Sequence, residues 1–152
     1  MATFSDKELQ YLKTQRLARM ATADKGAPHV VPVGFRLSQD GNAIEVGGHG
    51  LGRSKKYRDL RANPKVAIVI DDLASVNPWT PRGVEVRGTA QLHETGGTEK
   101  FGPGWDAVWI RIVPERINSW GIEAPPFTQG SSSSRSVGHP HDQLHRTDQR
   151  DE

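Results

Sequence analysis

The chain has 152 residues, enough for one domain with a real hydrophobic core and too few for two independent enzyme domains. With 20 Lys and Arg against 18 Asp and Glu, the net charge of +2 excludes a general polyanion-binding surface and confines any basic function to a local patch. The absence of cysteine excludes disulfides, thiol nucleophiles and thiolate metal sites, so redox chemistry would have to come from a cofactor.

The first residues show no basic region followed by an apolar segment, and the longest aliphatic run, Val66 to Ile70, is too short to span a bilayer; the expectation is a soluble, cytoplasmic protein with no membrane partner. Ser5-Asp6-Lys7-Glu8 fits a capping box, in which the Ser5 hydroxyl accepts from the N–H of Glu8 and the Glu8 carboxylate accepts from the N–H of Ser5. With Phe4 and Leu9 at hydrophobic-staple positions, a first helix is predicted from about Asp6 to about Thr14, burying Leu9, Tyr11 and Leu12. The period then changes to two. "RLARMATAD", "HVVPVGFRL" and "NAIEVGG" read as strands joined by turns near Asp24-Lys25-Gly26 and Ser38-Gln39-Asp40-Gly41. Pro32 cannot donate to a ladder, so the second of these strands is predicted to have one open flank.

Gly48, Gly50 and Gly52 then lead into Arg53-Ser54-Lys55-Lys56 and a helix predicted from Ser54 to about Ala62, ended by Asn63-Pro64. Lys65 to Asp71 follows as a strand whose apolar run predicts burial on both faces. "NPWTPRG" reads as a loop, Val84 to His93 as a cleanly alternating strand, and Ala107 to Val113 as the last strand. Six strands and two short helices, with no βαβ alternation, predict a mainly β (α+β) fold: a small, closed or partly closed antiparallel barrel. From Pro125 onward there is little to bury and four serines stand in a row, so residues 1–124 are predicted to fold and 125–152 to form a disordered Ser- and His-rich tail.

The basic stretch carries a physical case for phosphate. Ser54 is a good N-cap, the first N–H groups of the helix behind it face an anion at the positive end of the dipole, and Arg53, Lys55 and Lys56 surround that point. The glycines let backbone approach a ligand closely. Cations in a first turn oppose the helix dipole, a local conflict that a bound anion reverses, whereas the bland alternative is a solvated helix.

Together, "HVVPVGF", "RSKKYRDLRANPKVAIVIDD", "PRGVEVRGTA" and "IRIVPERINSWGI" resemble the pyridoxamine-phosphate-oxidase-like split β-barrel family, and within it the branch that uses the deazaflavin coenzyme F420. The pattern from Arg111 to Gly121 is similar to the subgroup that includes a reductase of tetracycline biosynthesis. The resemblance spans roughly residues 5 to 122. It implies a six-stranded split barrel, a homodimer with two cofactor sites at its interface, and hydride transfer from reduced F420 to a conjugated C=C or enone of a small-molecule substrate; the subgroup suggests a tetracycline-like polyketide, and a linear tetrapyrrole or a quinone is also compatible. It further implies that Arg53, Ser54, Lys55 and Lys56 lie at the cofactor phosphate. The ring would lie against Val31, Pro32, Val33 and Gly34, with the amides of Val31 and Val33 at its edge, and Trp79 and Arg82 would sit in a loop offered to ring or substrate. Asn often stands in the family where this chain has Asp59.

FMN is the alternative cofactor, since one phosphate pocket serves both; the acidic tail of F420 would call on Lys13, Arg16, Lys55 and Arg58. A non-catalytic flavin or tetrapyrrole carrier is the alternative from another class. No nucleophile with a base is recognisable and no catalytic side chain is assigned, so the protein is expected to bind and orient while the cofactor carries the reaction. His29 and His49 are candidates for a proton donor or for structural hydrogen bonds. His139, His141 and His145 have a ligand-like spacing but sit in the tail without Cys or an acidic cluster, so no metal is expected. Glu85 and Arg87 read as an ion pair or solvent face, and Trp105, Trp109 and Trp120 as packing. Basic and acidic residues are interspersed, without an aromatic platform for nucleic acid.

Overall fold

A computed structural model of the chain describes residues 3–138. Helix α1 spans Asp6–Lys13, and the capping box is formed in full: the Ser5 N–H donates to Glu8 Oε1 at 2.9 Å and the Glu8 N–H to Ser5 Oγ at 3.1 Å. Strands β1 (Leu17–Asp24) and β2 (Ala27–Gly34) form a hairpin whose two turn residues, Lys25 and Gly26, have φ of 53° and 81°. Positive φ at both centres matches the right-handed twist of the flanking strands. Then come β3 (Arg36–Leu37), β4 (Ile44–Val46), a 3-10 turn at Leu51–Arg53, α2 (Lys55–Ala62), β5 (Lys65–Ser75), β6 (Thr80–His93), α3 (Gly97–Phe101), β7 (Trp109–Trp120) and β8 (Ser132–Ser136).

One antiparallel sheet runs in the order β2-β1-β5-β6-β7-β4-β3, with β8 added to β7. Its first and last strands, β2 and β3, are separated in the chain by Phe35 alone, so the sheet has to curl round on itself. That curl is the split barrel, and the predicted mainly β fold of this type stands. Inward residues alternate along the long strands: Val66, Ile68 and Ile70 of β5, Val84 and Val86 of β6, and Ile110, Ile112 and Ile117 of β7. Leu12 from α1, with Tyr57 and Leu60 from α2, enters the same core. Each large side chain so buried contributes roughly 1.5–3 kcal/mol. Among the described residues no helix is long and apolar enough to cross a membrane.

Several sequence expectations change. The second predicted strand breaks at Phe35 into β2 and β3, which raises the count, and with β8 there are eight strands rather than six. β5 is buried on one face only: Val66, Ile68 and Ile70 point inward while Ala67 and Val69 are half-covered, because the sheet curls around a single core. The "TPRG" of the predicted loop is the start of β6, and β7 continues to Trp120 past Pro114. Pro114 is tolerated because the ladder slips there: Arg87 pairs Arg116 and Gly88 pairs Pro114, leaving Glu115 as the extra residue of a bulge. Gly88 is required at that point, since a Cβ would lie 2.1 Å from the Val113 carbonyl oxygen.

The expected disorder from Pro125 does not hold over the described residues, which run to Gly138, and three of the four consecutive serines, Ser132 to Ser134, begin β8. β6 occupies one edge of β7 and β4 only part of the other, so residues 116–120 offered an unpaired edge that Ser132–Ser136 fills. Arg135 from β8 reaches Glu8 with both guanidinium nitrogens, at 3.1 Å from Nη1 to Oε2 and more closely from Nη2 to Oε1, and also donates to the Thr3 carbonyl at 3.0 Å. His139, His141 and His145 lie outside the described residues.

Candidate functional site

The glycine-rich stretch and α2 form the site read from the sequence. The Ser54 hydroxyl accepts from the Tyr57 N–H at 3.3 Å and donates to the Leu51 carbonyl at 2.6 Å. That is the expected N-cap, and it leaves the N–H groups of Lys55 and Lys56 with no intrahelical acceptor. Arg53 is exposed; Lys56 is half-buried and forms no ion pair among the described residues. Lys55 is different. Its ammonium is 2.9 Å from Asp59 Oδ1, one turn on, and Asp59, buried, also accepts the Thr22 hydroxyl at 2.9 Å. The Lys55 ammonium, then Thr22, hold the Asp59 carboxyl below the usual carboxylate range. Lys55 thus serves this internal pair and the Ser54 hydroxyl serves the cap, while Arg53 is exposed and Lys56 half-buried at the start of the helix.

Close approach by the glycines is real, but the group that approaches is internal. The Gly50 N–H donates to Asp106 Oδ1 at 3.0 Å and the Gly52 N–H to Asp106 Oδ2 at 3.4 Å, while the Asp106 N–H donates to the Gly48 carbonyl at 2.9 Å. Gly50 adopts φ of 73°, which turns its N–H into this concavity. Nothing local in the sequence marked Asp106, which lies 56 residues from Gly50.

The open flank predicted from Pro32 is present, because β2 ends the sheet order. The Phe35 N–H donates to the Arg16 carbonyl, and with the register Ala18↔Val33 and Met20↔Val31 the strict alternation of an antiparallel pair turns the amides of Val31 and Val33 toward β1. Those two amides are therefore not the outward ones. The edge instead presents the N–H groups of Val30 and Gly34 and the carbonyl of Pro32, while the side chains of Val31 and Val33 pack inward.

Trp79 sits at the tip of the β5–β6 hairpin, 59% exposed, with Val76 also exposed. Arg82, two residues into β6 and close to the tip of that hairpin, is held by Asp72 through Nε at 2.7 Å and Nη2 at 3.0 Å, and the Tyr11 hydroxyl donates to the same carboxylate at 3.0 Å. Arg82 braces the hairpin against α1. His29 shares the inward face with its partner Thr22, and its Nδ1 is buried without a hydrogen bond. His49 Nδ1 lies 2.7 Å from the Gly104 carbonyl oxygen and its ring packs 4.5 Å from Trp105. His49 is thus held by structural contacts, whereas among the described residues His29 Nδ1 has no hydrogen-bond partner. Trp109 stacks on His93 and donates to the Thr95 carbonyl, and Glu85 pairs with Arg87 along one strand at 3.0 Å.

On the outside of the barrel, Val30, Ala21 and Ala67 stand side by side across β2, β1 and β5 with Pro28 beside them, while Arg19, ion-paired to Asp71 at 2.8 Å, stands between Pro32 and Val69 and separates this small apolar patch from Leu17. Val30 is 64% and Leu17 50% exposed.

The sequence pattern of pyridoxamine 5'-phosphate oxidase matches residues 4–121. The 5a,11a-dehydrotetracycline/5a,11a-dehydrooxytetracycline reductase of Streptomyces rimosus subsp. rimosus is 43% identical over 121 residues, 79% of this chain and 84% of the relative. Among solved structures, a FAD-binding protein from Mesorhizobium loti superposes with a TM-score of 0.57 at 22% identity, over 76% of this chain and 91% of that one. A heme-binding protein from Mycobacterium smegmatis superposes with a TM-score of 0.62 at 15% identity, over 90% of this chain and 60% of that one. These two share the fold while binding different cofactors, so the fold leaves the ligand open. The match over residues 4–121, on a curled antiparallel sheet with an N-capped basic helix at its side, makes the chain a member of the pyridoxamine 5'-phosphate oxidase family.

Proposed function

We propose that the protein is a reductase that uses coenzyme F420 to reduce a conjugated C=C in a tetracycline-like polyketide, working as a cytoplasmic homodimer. The observation that carries this reading is the 43% identity to a dehydrotetracycline reductase over 84% of that enzyme's length. The residues present fit a phosphate-bearing cofactor. Among the described residues Lys56 is a half-buried ammonium with no carboxylate partner, beside the exposed Arg53 and two helix N–H groups lacking intrahelical acceptors, an arrangement that a phosphoryl group completes. When bound in its reduced form, the cofactor supplies a hydride to the electron-poor carbon, and the product takes up one proton in balance.

The chain's own work is binding and orientation. Arg53, Lys56 and the first N–H groups of α2 hold the phosphate, and Ser54 holds the helix end that presents those N–H groups. The free edge of β2 gives the ring a polar rim through the N–H groups of Val30 and Gly34 and the carbonyl of Pro32, and Trp79 shapes the substrate side. The apolar outer face around Val30 and Ala21 supports the homodimer, since a protomer gains nothing by exposing it.

Side-by-side titration of the purified protein with F420 and FMN, following cofactor fluorescence and melting temperature, tests the cofactor. Tight binding of F420, followed by loss of reduced F420 on addition of 5a,11a-dehydrotetracycline, is the expected result. Preference for FMN moves the reading to a flavin enzyme, and binding without substrate-dependent oxidation moves it to a carrier.

A further inference from the structure

Resting on the phosphate site proposed above, we infer that Asp106 is a positioning residue for the cofactor: a built-in anion that fills the glycine concavity and so holds Arg53 and the N-terminus of α2 where they meet the phosphate. Successive backbone N–H groups turned to one side form a concavity for an anion. In this chain it is already filled. Gly50 and Gly52 donate to the two oxygens of Asp106 at 3.0 and 3.4 Å. The Gly50 N–H first, against the cost of burial and with help from Gly52 and Leu51, keeps the Asp106 carboxyl below the usual carboxylate range, so it stays ionised at neutral pH.

What Asp106 holds is the lead-in to α2. The turn from Gly50 closes through the Arg53 N–H on the Gly50 carbonyl at 3.2 Å and the Ser54 N–H on the Leu51 carbonyl at 3.0 Å. The residue after Gly52 is Arg53, and the next, Ser54, caps the helix. Two further contacts zip the loops together: the Asp106 N–H on the Gly48 carbonyl, and His49 Nδ1 against the Gly104 carbonyl with its ring over Trp105. Because a carboxylate already satisfies the inner N–H groups, a phosphate meets the outer set, namely Arg53, Lys56 and the first N–H groups of α2. Without Asp106 the inner groups lose their acceptor and the loop its anchor, and Arg53 and the cap are no longer preset.

The test compares a phosphate-bearing cofactor with its phosphate-free core, namely F420 with its deazariboflavin core and FMN with riboflavin, on the full chain and on Asp106→Ala and Asp106→Asn. The readout is the ratio of the two dissociation constants, with circular dichroism and melting temperature reporting folding. In Asp106→Ala the advantage of the phosphate-bearing ligand is expected to fall about tenfold, equivalent to about 1.4 kcal/mol, while affinity for the core changes less than about twofold. Asp106→Asn, which keeps one acceptor oxygen and nearly the same shape, falls between and carries the test if the alanine variant does not fold. A wild-type ratio in the variants, or equal loss for both ligands, overturns the inference and leaves the phosphate site standing. If the native chain itself does not prefer the phosphate-bearing ligand, the phosphate site falls and the inference falls with it.

Discussion

Lys56 and Lys55 are adjacent and chemically identical, yet their surroundings give them different work. Lys55 is one helical turn from the buried Asp59 and pairs with it at 2.9 Å, whereas Lys56 is half-covered and pairs with no carboxylate among the described residues. A charge-assisted hydrogen bond to phosphate is worth about 1.5–3 kcal/mol, so Lys56→Ala should raise the dissociation constant of the phosphate-bearing cofactor at least about tenfold. Its melting temperature should hardly move. A fluorescence titration showing less than a twofold change would remove Lys56 from the site. The sequence disclosed both lysines as candidates because their type and position were visible; it did not separate them, because the partner of Lys55 also depends on Thr22, which the fold brings to Asp59 from β1.

At the scale of elements, β8 and α1 are tied together by one ion pair. Glu8 is fully buried, and although burial alone would raise its carboxyl, the Arg135 guanidinium and the Ser5 N–H outweigh that and hold it below its ordinary value of 4.5. Removing one partner of such a pair strands a buried charge, and Arg135→Ala is expected to cost about 3 kcal/mol at pH 7, read by urea unfolding. The sign with pH follows from the shift. A carboxyl depressed in the folded state contributes stability that is present above pH 4.5 and lost as pH falls through the folded value. In Arg135→Ala the burial cost is opposed only by the weaker hydrogen bonds from Ser5 and Ser119, so the Glu8 carboxyl rises and its penalty is relieved on acidification. The difference between variant and wild type should therefore shrink from pH 7 to pH 4; a difference that is constant across that range contradicts the pairing. The capping box was legible because it is written in four consecutive residues. The strand made of Ser132–Ser136 was not, because serines have little strand preference and pair here only because β7 leaves an edge open.

For the whole molecule, the curl of the sheet divides its residues into a filled interior and an outer face, part of which is apolar. Val30 points outward next to Ala21, which in turn neighbours Ala67. If this surface pairs two copies, Val30→Glu should convert a dimer to a monomer while leaving the protomer folded, since the side chain is mostly exposed within one chain. Light scattering after size exclusion, with circular dichroism as control, reads this. A Val30→Glu dimer of unchanged stability would place the interface elsewhere.

The sequence by itself determined what neighbours along the chain decide: the Ser5–Glu8 cap, the Lys25-Gly26 turn, the Ser54 cap, the edge position imposed by Pro32, and the alternation that identifies a curled, mainly β sheet. Tertiary structure decided the rest. It ended β2 at Phe35, left one face of β5 half-covered, turned the amides of Val31 and Val33 into the β1 ladder, and placed Asp106 in the glycine concavity and Arg135 on Glu8. The physical reason is range. Caps, turns and periodicity arise from interactions within a few residues, whereas a carboxylate filling a concavity 56 residues away, or a guanidinium meeting a carboxylate 127 residues away, leaves no trace until the sheet has closed.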